Sequence, residues 1–325
     1  MLHLRRSLFV FPLALAALLT PFAFGRAPLA ADVETSLAPP RVEPGPRADD
    51  KKPLRFTGIP TANTTDLEAK YKPLAAYLEG KLGVKFEYVP SADYNASVDG
   101  FVNGDLLLCW FGGFTGVQAR ERVAGARVIA CGKVDREFKS YFIANKSLGL
   151  TKSDEFPMAL KGKKFTFGSS SSTSGRLMPE YFIRKQTKLS PKEFFGSEMN
   201  FSGGHDKTAK LVEAGTFDAG ALDYTQYEKM VAEFKKDPAS AKGLNPELAP
   251  VIWVTPTYVD YHFTAHPKLD EVYGKGFTDR LQIALVDLKD AALLKALDRP
   301  DGIVKASNED FDGVRAIAKE VGLVR

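Results

Sequence analysis

Cysteine and histidine are both scarce in this chain. Its 325 residues include two cysteines, Cys109 and Cys131, and four histidines. Two cysteines allow at most one disulfide, and the alternatives are a bond between neighbouring strands or two buried free thiols. The histidines have no metal-ligand spacing, because they lie far apart at His3, His205, His262 and His266. The sequence therefore indicates no metal centre, and we expect no cofactor.

The chain also lacks a large surplus of one charge. Lysine and arginine number 44 against 40 acidic residues, which gives a net charge of +4. No basic helix carries interleaved aromatic residues for base stacking, so nucleic acid is not an expected partner. A hydrophobic content of 44% and a charged content of 26% are typical of a soluble globular protein. The length suits about two domains.

An apolar run at residues 8–19 follows Arg5 and Arg6 and is short for a membrane span. Small residues follow the run and offer a cleavage site after Ala31. This pattern predicts a signal peptide over residues 1–31, and an uncleaved anchor is the alternative.

Residues 32–53 are rich in proline, arginine and acids and have no apolar periodicity. They are predicted to form a disordered linker. No cysteine follows the apolar run, so lipoprotein processing is not indicated. We expect the mature protein to be exported to the periplasm.

Strand and helix patterns alternate from residue 54 onward, with helix caps expected at Thr65 and Thr115. Such alternation predicts an α/β fold with mostly parallel sheets. We expect two α/β lobes joined by a hinge, with a ligand cleft between them. The first lobe would comprise residues 54–145 and 254–325, and the second lobe residues 146–253.

The segment KKFTFGSSSSTSGRL at residues 163–177 carries the strongest functional signal. It predicts a short strand at 163–168, then a hydroxyl-rich loop that opens a helix near Ser174. Free N–H groups and hydroxyls at the positive end of a helix dipole suit a small oxyanion. The alternative is a flexible serine linker. Pro179 fits the pattern poorly, because a proline past the first turn should kink the helix.

Polar loops that open helices follow many of the predicted strands. In open α/β sheets, ligands bind beyond the carboxyl ends of the strands, so two facing lobes would bring these loops to one cleft. The loops are residues 61–65, 92–94, 112–115, 169–174, 203–206 and 223–225.

Four segments together resemble the phosphate, phosphite and phosphonate-binding receptors of ABC transporters. They are YKPLAAYLEGKLGV, DYNASVDGFVNGDLLLCWFGGFTGVQA, FGSSSSTSG and SGGHDKTAKLVEAGTFDAGALDY. The resemblance extends from residue 54 to the C-terminus and implies the type II fold of periplasmic binding proteins. Within the family, WFGGFTG and DREFKS are most similar to receptors described as selenate or phosphate binders.

The resemblance implies a set of ligand-binding positions. They are Tyr94, Gly113, Thr115, Ser172, Thr173, Ser174, His205 and Asp223. Neighbouring positions that we add as further candidates are Thr64, Cys109, Phe111 and Tyr224. Cys109 beside Trp110 departs from the small or aliphatic residue expected there, and a thiol near the cleft would suit arsenite.

Each of these residues also has a structural interpretation. The serine and threonine hydroxyls at 172–174 can cap a helix as well as donate to an anion. His205 can bind the anion or merely precede the next helix. Asp223 repels an anion unless the ligand carries a proton or an amine, so in the cleft it would favour hydrogen phosphate, hydrogen phosphite or an aminophosphonate. Its alternative role is that of a helix N-cap.

These residues are compatible with three functions. The first is a receptor that closes around an oxyanion and docks on a membrane permease. The second is a sensor subunit, for arsenite or selenate for example, that presents the closed form to a membrane kinase. The third is an exported serine hydrolase, which the lack of a G-x-S-x-G elbow argues against. We expect a monomer that is not an enzyme.

Overall fold

The structure is a computed structural model that describes residues 52–325. The predicted signal peptide and nearly all of the predicted linker lie outside the described residues. Within residues 52–325, no helix is long and apolar enough to cross a membrane. Two β-sheets, each covered by helices, organise this part of the chain.

The first sheet has six strands. They are β1 (Leu54–Gly58), β2 (Phe86–Tyr88), β3 (Leu108–Phe111), β4 (Arg127–Gly132), β10 (His262–Ala265) and β11 (Ile303–Lys305). Their order across the sheet is β11-β4-β10-β3-β1-β2. We call this sheet and its helices the first lobe.

The second sheet has five strands. They are β5 (Ser140–Ala144), β6 (Phe165–Phe167), β7 (Asn200–Phe201), β8 (Ala219–Asp223) and β9 (Val251–Val254). Their order is β7-β6-β8-β5-β9, and with their helices they form the second lobe. Strand β5 lies before the predicted crossing at residue 145, yet it pairs with β8 and β9, so the chain enters the second sheet by Ser140.

The prediction of mostly parallel sheets is wrong. Strand β1 pairs in parallel with β2 and β3, and β6 does so with β7 and β8. Strands β10 and β5, however, are antiparallel to both of their neighbours. Both arrive from the opposite lobe, so they start at the cleft and run away from it, whereas β3 and β8 end at the cleft.

Helices cover the sheets in both lobes. In the first lobe they are α1 (Thr64–Leu82), α2 (Tyr94–Asn103), α3 (Gly113–Arg122), α8 (Lys268–Tyr273), α9 (Phe277–Val286), α10 (Ala291–Ala296) and α11 (Asp312–Glu320). In the second lobe they are α4 (Met178–Thr187), α5 (Pro191–Phe195), α6 (His205–Glu213) and α7 (Tyr224–Lys236).

Helix α1 shows how the apolar pattern builds the core. Leu67, Tyr71, Leu74 and Leu78 recur at helical spacing, and all four are buried. Burial of each such side chain contributes about 1.5–3 kcal/mol. The helix is capped by Asn63, whose side chain accepts from the Asp66 N–H group, rather than by Thr65.

The serine-rich segment opens with a wide turn. Thr173–Leu177 forms a π-helical turn, in which the Leu177 N–H group donates to the Ser172 carbonyl at 3.0 Å. The extra residue in this turn places Pro179 at the second position of α4. The carbonyl four residues before Pro179, that of Gly175, accepts from the Gly168 N–H group instead, so the proline leaves no acceptor unpaired.

Cys109 and Cys131 are free and buried, so the disulfide alternative is wrong and the free-thiol alternative is confirmed. Cys109 lies within the first sheet, between Thr57 of β1 and Thr264 of β10. Burial raises the pKa of its thiol well above the ordinary value. A protonated thiol is a poor ligand for arsenite, which weakens the expectation of a thiophilic ligand.

Candidate functional site

Five helical starts meet where the two sheets face each other. Strands β3, β6 and β8 end there, and α2, α3, α6, α7 and the turn at Thr173–Leu177 begin there. The first N–H groups of a helix have no intrahelical acceptor and carry partial positive charge. The cleft between the lobes is therefore suited to a small anion.

The serine-rich turn supplies three hydroxyls with different roles. Ser172 caps its own turn, because its Oγ accepts from the Gly175 N–H group at 2.9 Å. Thr173 joins the lobes, because its Oγ1 accepts from the Phe114 N–H group at 3.0 Å. Ser174 Oγ is buried and has no hydrogen-bond partner among the described residues. Burial raises the pKa of the nearby Tyr258 phenol well above its ordinary value, and Ser174 opposes this rise only in part.

His205 connects the second lobe to Tyr94 of the first. Its Nδ1 accepts from the Asp223 N–H group at 3.3 Å, and its Nε2 lies 3.4 Å from the Tyr94 hydroxyl. Burial lowers the pKa of the imidazole, so the ring is neutral. Since Nδ1 is an acceptor, the proton lies on Nε2, and His205 presents an N–H donor on its Tyr94 side.

Asp223 caps a helix, which is the alternative role that the sequence allowed it. Its Oδ1 caps α7 by accepting from the N–H groups of Thr225 at 2.6 Å and Gln226 at 3.2 Å. Its Oδ2 accepts from the Tyr261 hydroxyl at 3.0 Å. The carboxylate is therefore a helix cap whose second oxygen faces the other lobe.

Asp260 is a cleft residue that the sequence analysis missed. Its Oδ1 accepts from the Gly113 N–H group at 2.8 Å, and its buried Oδ2 has no hydrogen-bond partner among the described residues. Burial raises the pKa of this carboxyl to about 8, despite the Gly113 and Thr173 hydrogen bonds, which lower it. Asp260 is thus mostly neutral at pH 7 and can donate as well as accept. The available signal was an acid inside the aromatic run YVDYHF.

Tyr258 was missed as well. Its hydroxyl lies 2.6 Å from Ser140 Oγ, which donates to the Ser174 carbonyl at 2.8 Å. Its backbone pairs with Phe138, and this bridge links the two chain segments that cross between the lobes. Tyr258 therefore lies at the hinge and directly behind the serine-rich turn.

A buried ion pair supports the cleft from the first lobe. Arg299 Nε donates to Asp135 Oδ2 at 2.6 Å and its Nη2 donates to Oδ1 at 2.8 Å. The guanidinium also lies 5.2 Å from the ring centres of Trp110 and Tyr261. It thus contacts the aromatic residues and places a positive charge near Asp223. Burial lowers the pKa of Arg299, but Asp135 and, to a smaller extent, Asp223 raise it, and the pKa lies above its ordinary value.

Other predicted positions lie around this cluster. Thr115 Oγ1 donates to the Gly112 carbonyl, so Thr115 does not cap α3 as expected; Gly112 is the cap residue. Thr64 is exposed at the start of α1. Phe111 packs edge-on against Phe101 in the core of the first lobe.

Tyr224 packs against Phe138, at a ring-centre distance of 4.8 Å. It follows the Asp223 cap directly, at the first position of α7. Within residues 52–325, no group of three or more histidine, cysteine or acidic side chains could hold a metal ion.

Direct contacts between the lobes extend to the rim of the cleft. Ser171 Oγ donates to Asn95 Oδ1 at 2.6 Å, and Lys229 Nζ pairs with Asp298 at 3.3 Å. Lys70 reaches the same carboxylate from the first lobe at 3.0 Å. The structure therefore shows the two lobes closed on each other.

The family model for the periplasmic phosphonate substrate-binding proteins of ABC transporters matches residues 56–311. The chain belongs to this family. As a member of the phosphonate substrate-binding family, it is a binding protein of the transport machinery and not a hydrolase.

Two curated members of the phosphonate substrate-binding family are similar along most of their length. "Probable ABC transporter phosphite binding protein PhnD1" of Prochlorococcus marinus is 37% identical over 286 residues, 86% of this chain and 93% of the relative. "Phosphate-import protein PhnD" of Mycolicibacterium smegmatis is 30% identical, over 83% of this chain and 86% of the relative.

A solved structure of PhnD1 from Prochlorococcus marinus in complex with methylphosphonate is also similar. It superimposes with a TM-score of 0.74 at 36% identity, over 83% of this chain and 98% of the other. The two-lobed α/β fold expected from the sequence is therefore confirmed.

Proposed function

We propose that this protein captures a small phosphorus oxyanion with a protonatable oxygen, of the phosphite, methylphosphonate or phosphate type, and delivers it to a membrane permease. One observation carries the proposal: Ser174 Oγ and Asp260 Oδ2 are buried in the cleft without a partner among the described residues. Buried polar atoms are nearly always hydrogen-bonded, so this pair indicates where a ligand would complete the network. Phosphite, phosphate and methylphosphonate are also named for the similar proteins.

Asp223 favours a protonated ligand. Asp223 accepts and cannot donate when ionised, so a fully ionised oxyanion would meet it without a shared proton. A hydrogen phosphite or hydrogen phosphate supplies that proton. Sulfate and selenate are fully ionised near neutral pH and are therefore disfavoured.

The cleft also favours a small ligand. A Cβ atom at Gly112 would lie 3.1 Å from Thr173 Oγ1 and 3.2 Å from Asp260 Oδ1, so the lobes approach closely there. We therefore expect phosphite and methylphosphonate to bind better than 2-aminoethylphosphonate.

Calorimetric titration of the mature protein tests the ligand. The panel is phosphite, methylphosphonate, phosphate, 2-aminoethylphosphonate, sulfate, selenate and arsenite. We expect micromolar or tighter binding for at least one of the first three, because several charge-assisted hydrogen bonds of about 1.5–3 kcal/mol each converge. Equal or tighter binding of sulfate or selenate would contradict the role given to Asp223.

Asp260 should make binding depend on pH. Its pKa of about 8 lies above the ordinary value of 3.8. Asp260 is therefore neutral in the cleft at lower pH, and its charge opposes the anion once the pH rises through 8. Between about pH 7 and about pH 9 the affinity for phosphite should fall up to about tenfold more in the wild type than in Asp260→Asn.

The titration of phosphite itself affects the wild type and Asp260→Asn equally. The difference between their pH profiles therefore reports the titration of Asp260. Asp279→Asn, on the exposed surface near Arg127, is the matched control and should follow the wild type. The same raised pKa means that the stability of the free protein is greatest below the ordinary pKa and declines as the pH rises through 8. Identical pH profiles for wild type and Asp260→Asn would refute the assignment.

The remaining sequence expectations stay proposals. They are the signal peptide, the linker at residues 32–53 and the monomeric state. A sensor role would use the same closed form. Neighbouring genes for a permease and an ATPase would indicate transport, and a neighbouring gene for a kinase would indicate sensing. We favour transport because the family is one of ABC transporter components.

A further inference from the structure

A second cavity lies in the first lobe, outside the cleft. It has a volume of about 560 Å³ and lies between the C-terminal half of α3 and the start of α11. Val117, Arg120, Asn308, Asp312 and Arg315 are among its lining residues. Cavities of roughly 300–1,000 Å³ are the usual size for small-molecule sites.

Arg120 is the unusual group in this cavity. It is half-buried, and it lies 5.4 Å from the ring centre of Phe311. Two other lining arginines have acidic partners: Arg315 pairs with Glu121 and Arg127 pairs with Asp279. Among residues 52–325, by contrast, no carboxylate lies within ion-pair distance of Arg120.

The hydrogen bond that holds Arg120 does not neutralise its charge. Arg120 Nη1 donates to His262 Nε2 at 2.9 Å, and His262 Nδ1 donates to the Asp260 carbonyl at 3.0 Å. Burial, together with the Arg120 charge, holds the pKa of His262 well below its ordinary value, so the imidazole is a neutral acceptor. A Cβ at Gly116 would lie 2.2 Å from His262 Nε2, so this approach needs glycine there.

The guanidinium of Arg120 is therefore held in place by His262 at the wall of the cavity. A guanidinium has five N–H donors, of which His262 engages one. Burial lowers the pKa of Arg120 to about 10, although the nearby Asp312 and Glu121 carboxylates, which also line the cavity, raise it in part, so the group is still charged at pH 7. A planar donor set of this kind matches a carboxylate or a phosphate group.

We propose that this cavity is a second binding site, which takes a small organic anion. Its carboxylate or phosphate group would contact Arg120, with Arg315 at the rim. Its apolar part would pack on Val117, Val123 and Ala124, which line the same cavity. The volume exceeds what a single inorganic oxyanion fills, which distinguishes this ligand from the ligand of the cleft.

Titration of the mature protein with citrate, succinate and glycerol 3-phosphate, each followed by calorimetry and amide NMR, tests the proposal. We expect saturable binding of at least one probe, with shifts at α3 and α11. Arg120→Gln should weaken it roughly ten- to hundredfold, as for the loss of hydrogen bonds to a charged group. Arg122→Gln is the matched control, because Arg122 is on the same helix but pairs with Asp99 on the surface, and it should bind as the wild type does.

A second variant tests the site even if Arg120→Gln fails to fold. Ala124 is exposed on the cavity wall, so Ala124→Glu adds a competing carboxylate without altering the buried side of Arg120. It should also weaken binding. No saturable binding of any probe up to about 10 mM, or binding as tight as that of the wild type by both Arg120→Gln and Ala124→Glu, would overturn the proposal. Probe binding that saturating phosphite displaces would overturn it too, since the site would then be the cleft.

Discussion

Arg299→Met is expected to lower the free energy of unfolding by about 3–5 kcal/mol. Arg299 is 3% exposed and Asp135 is fully buried, and the two share a bidentate ion pair. Removal of the guanidinium leaves a buried carboxylate without its counter-charge. It also removes the cation beside the rings of Trp110 and Tyr261. Urea unfolding of the ligand-free protein, followed by circular dichroism, measures the loss.

The double variant Asp135→Leu with Arg299→Met separates the two causes. It should be much more stable than Arg299→Met alone, because no unpaired charge stays buried. Arg127→Met is the surface control: its pair with Asp279 is at least half-exposed, and we expect a loss of about 1 kcal/mol or less. A loss for Arg299→Met no larger than that of Arg127→Met would contradict the importance given to the buried pair.

Thr173→Val is expected to weaken binding of the cleft ligand by about 100-fold, or about 2.8 kcal/mol. Valine has nearly the same shape but cannot accept from the Phe114 N–H group. That N–H group is buried in the closed form, so the closed form would lose a hydrogen bond between the lobes. The variant also loses the hydroxyl that we propose as a ligand donor. Calorimetry with phosphite or methylphosphonate measures the change.

Thr187→Val is the matched control for this substitution. Thr187 Oγ1 donates to the Ile183 carbonyl at the far end of α4, away from the cleft. It should bind the ligand as the wild type does. An affinity of Thr173→Val within about threefold of the wild type would exclude Thr173 from both roles.

The fold was predictable from local patterns, but the helix starts were not. The α/β class could be predicted because apolar residues recur at different spacings in strands and helices, and a short stretch of sequence shows that spacing. The cap of α3 was missed because Gly112 has no side chain to signal it. The Gly113 N–H group is satisfied by Asp260, which is 147 residues away, and no local pattern records such a contact.

The same limit applies to the ligand site. Ser172, Thr173, His205 and Asp223 follow strands of the alternating pattern, so their convergence could be predicted. Asp260 comes from an extended segment between the lobes, where neither helix nor strand period marks it. The π turn that accommodates Pro179 was equally hidden, because it depends on one extra residue in a turn.

The position of β10 determines when each lobe can be completed during folding. The second sheet uses a continuous part of the chain, from Ser140 to Val254. The first sheet instead needs β10, which inserts between β3 and β4 although it lies more than a hundred residues after them. Contacts between distant residues form late because closing a long loop costs entropy. The second lobe can therefore fold as soon as residue 254 is available, whereas the first lobe keeps two open strand edges until residue 265 arrives.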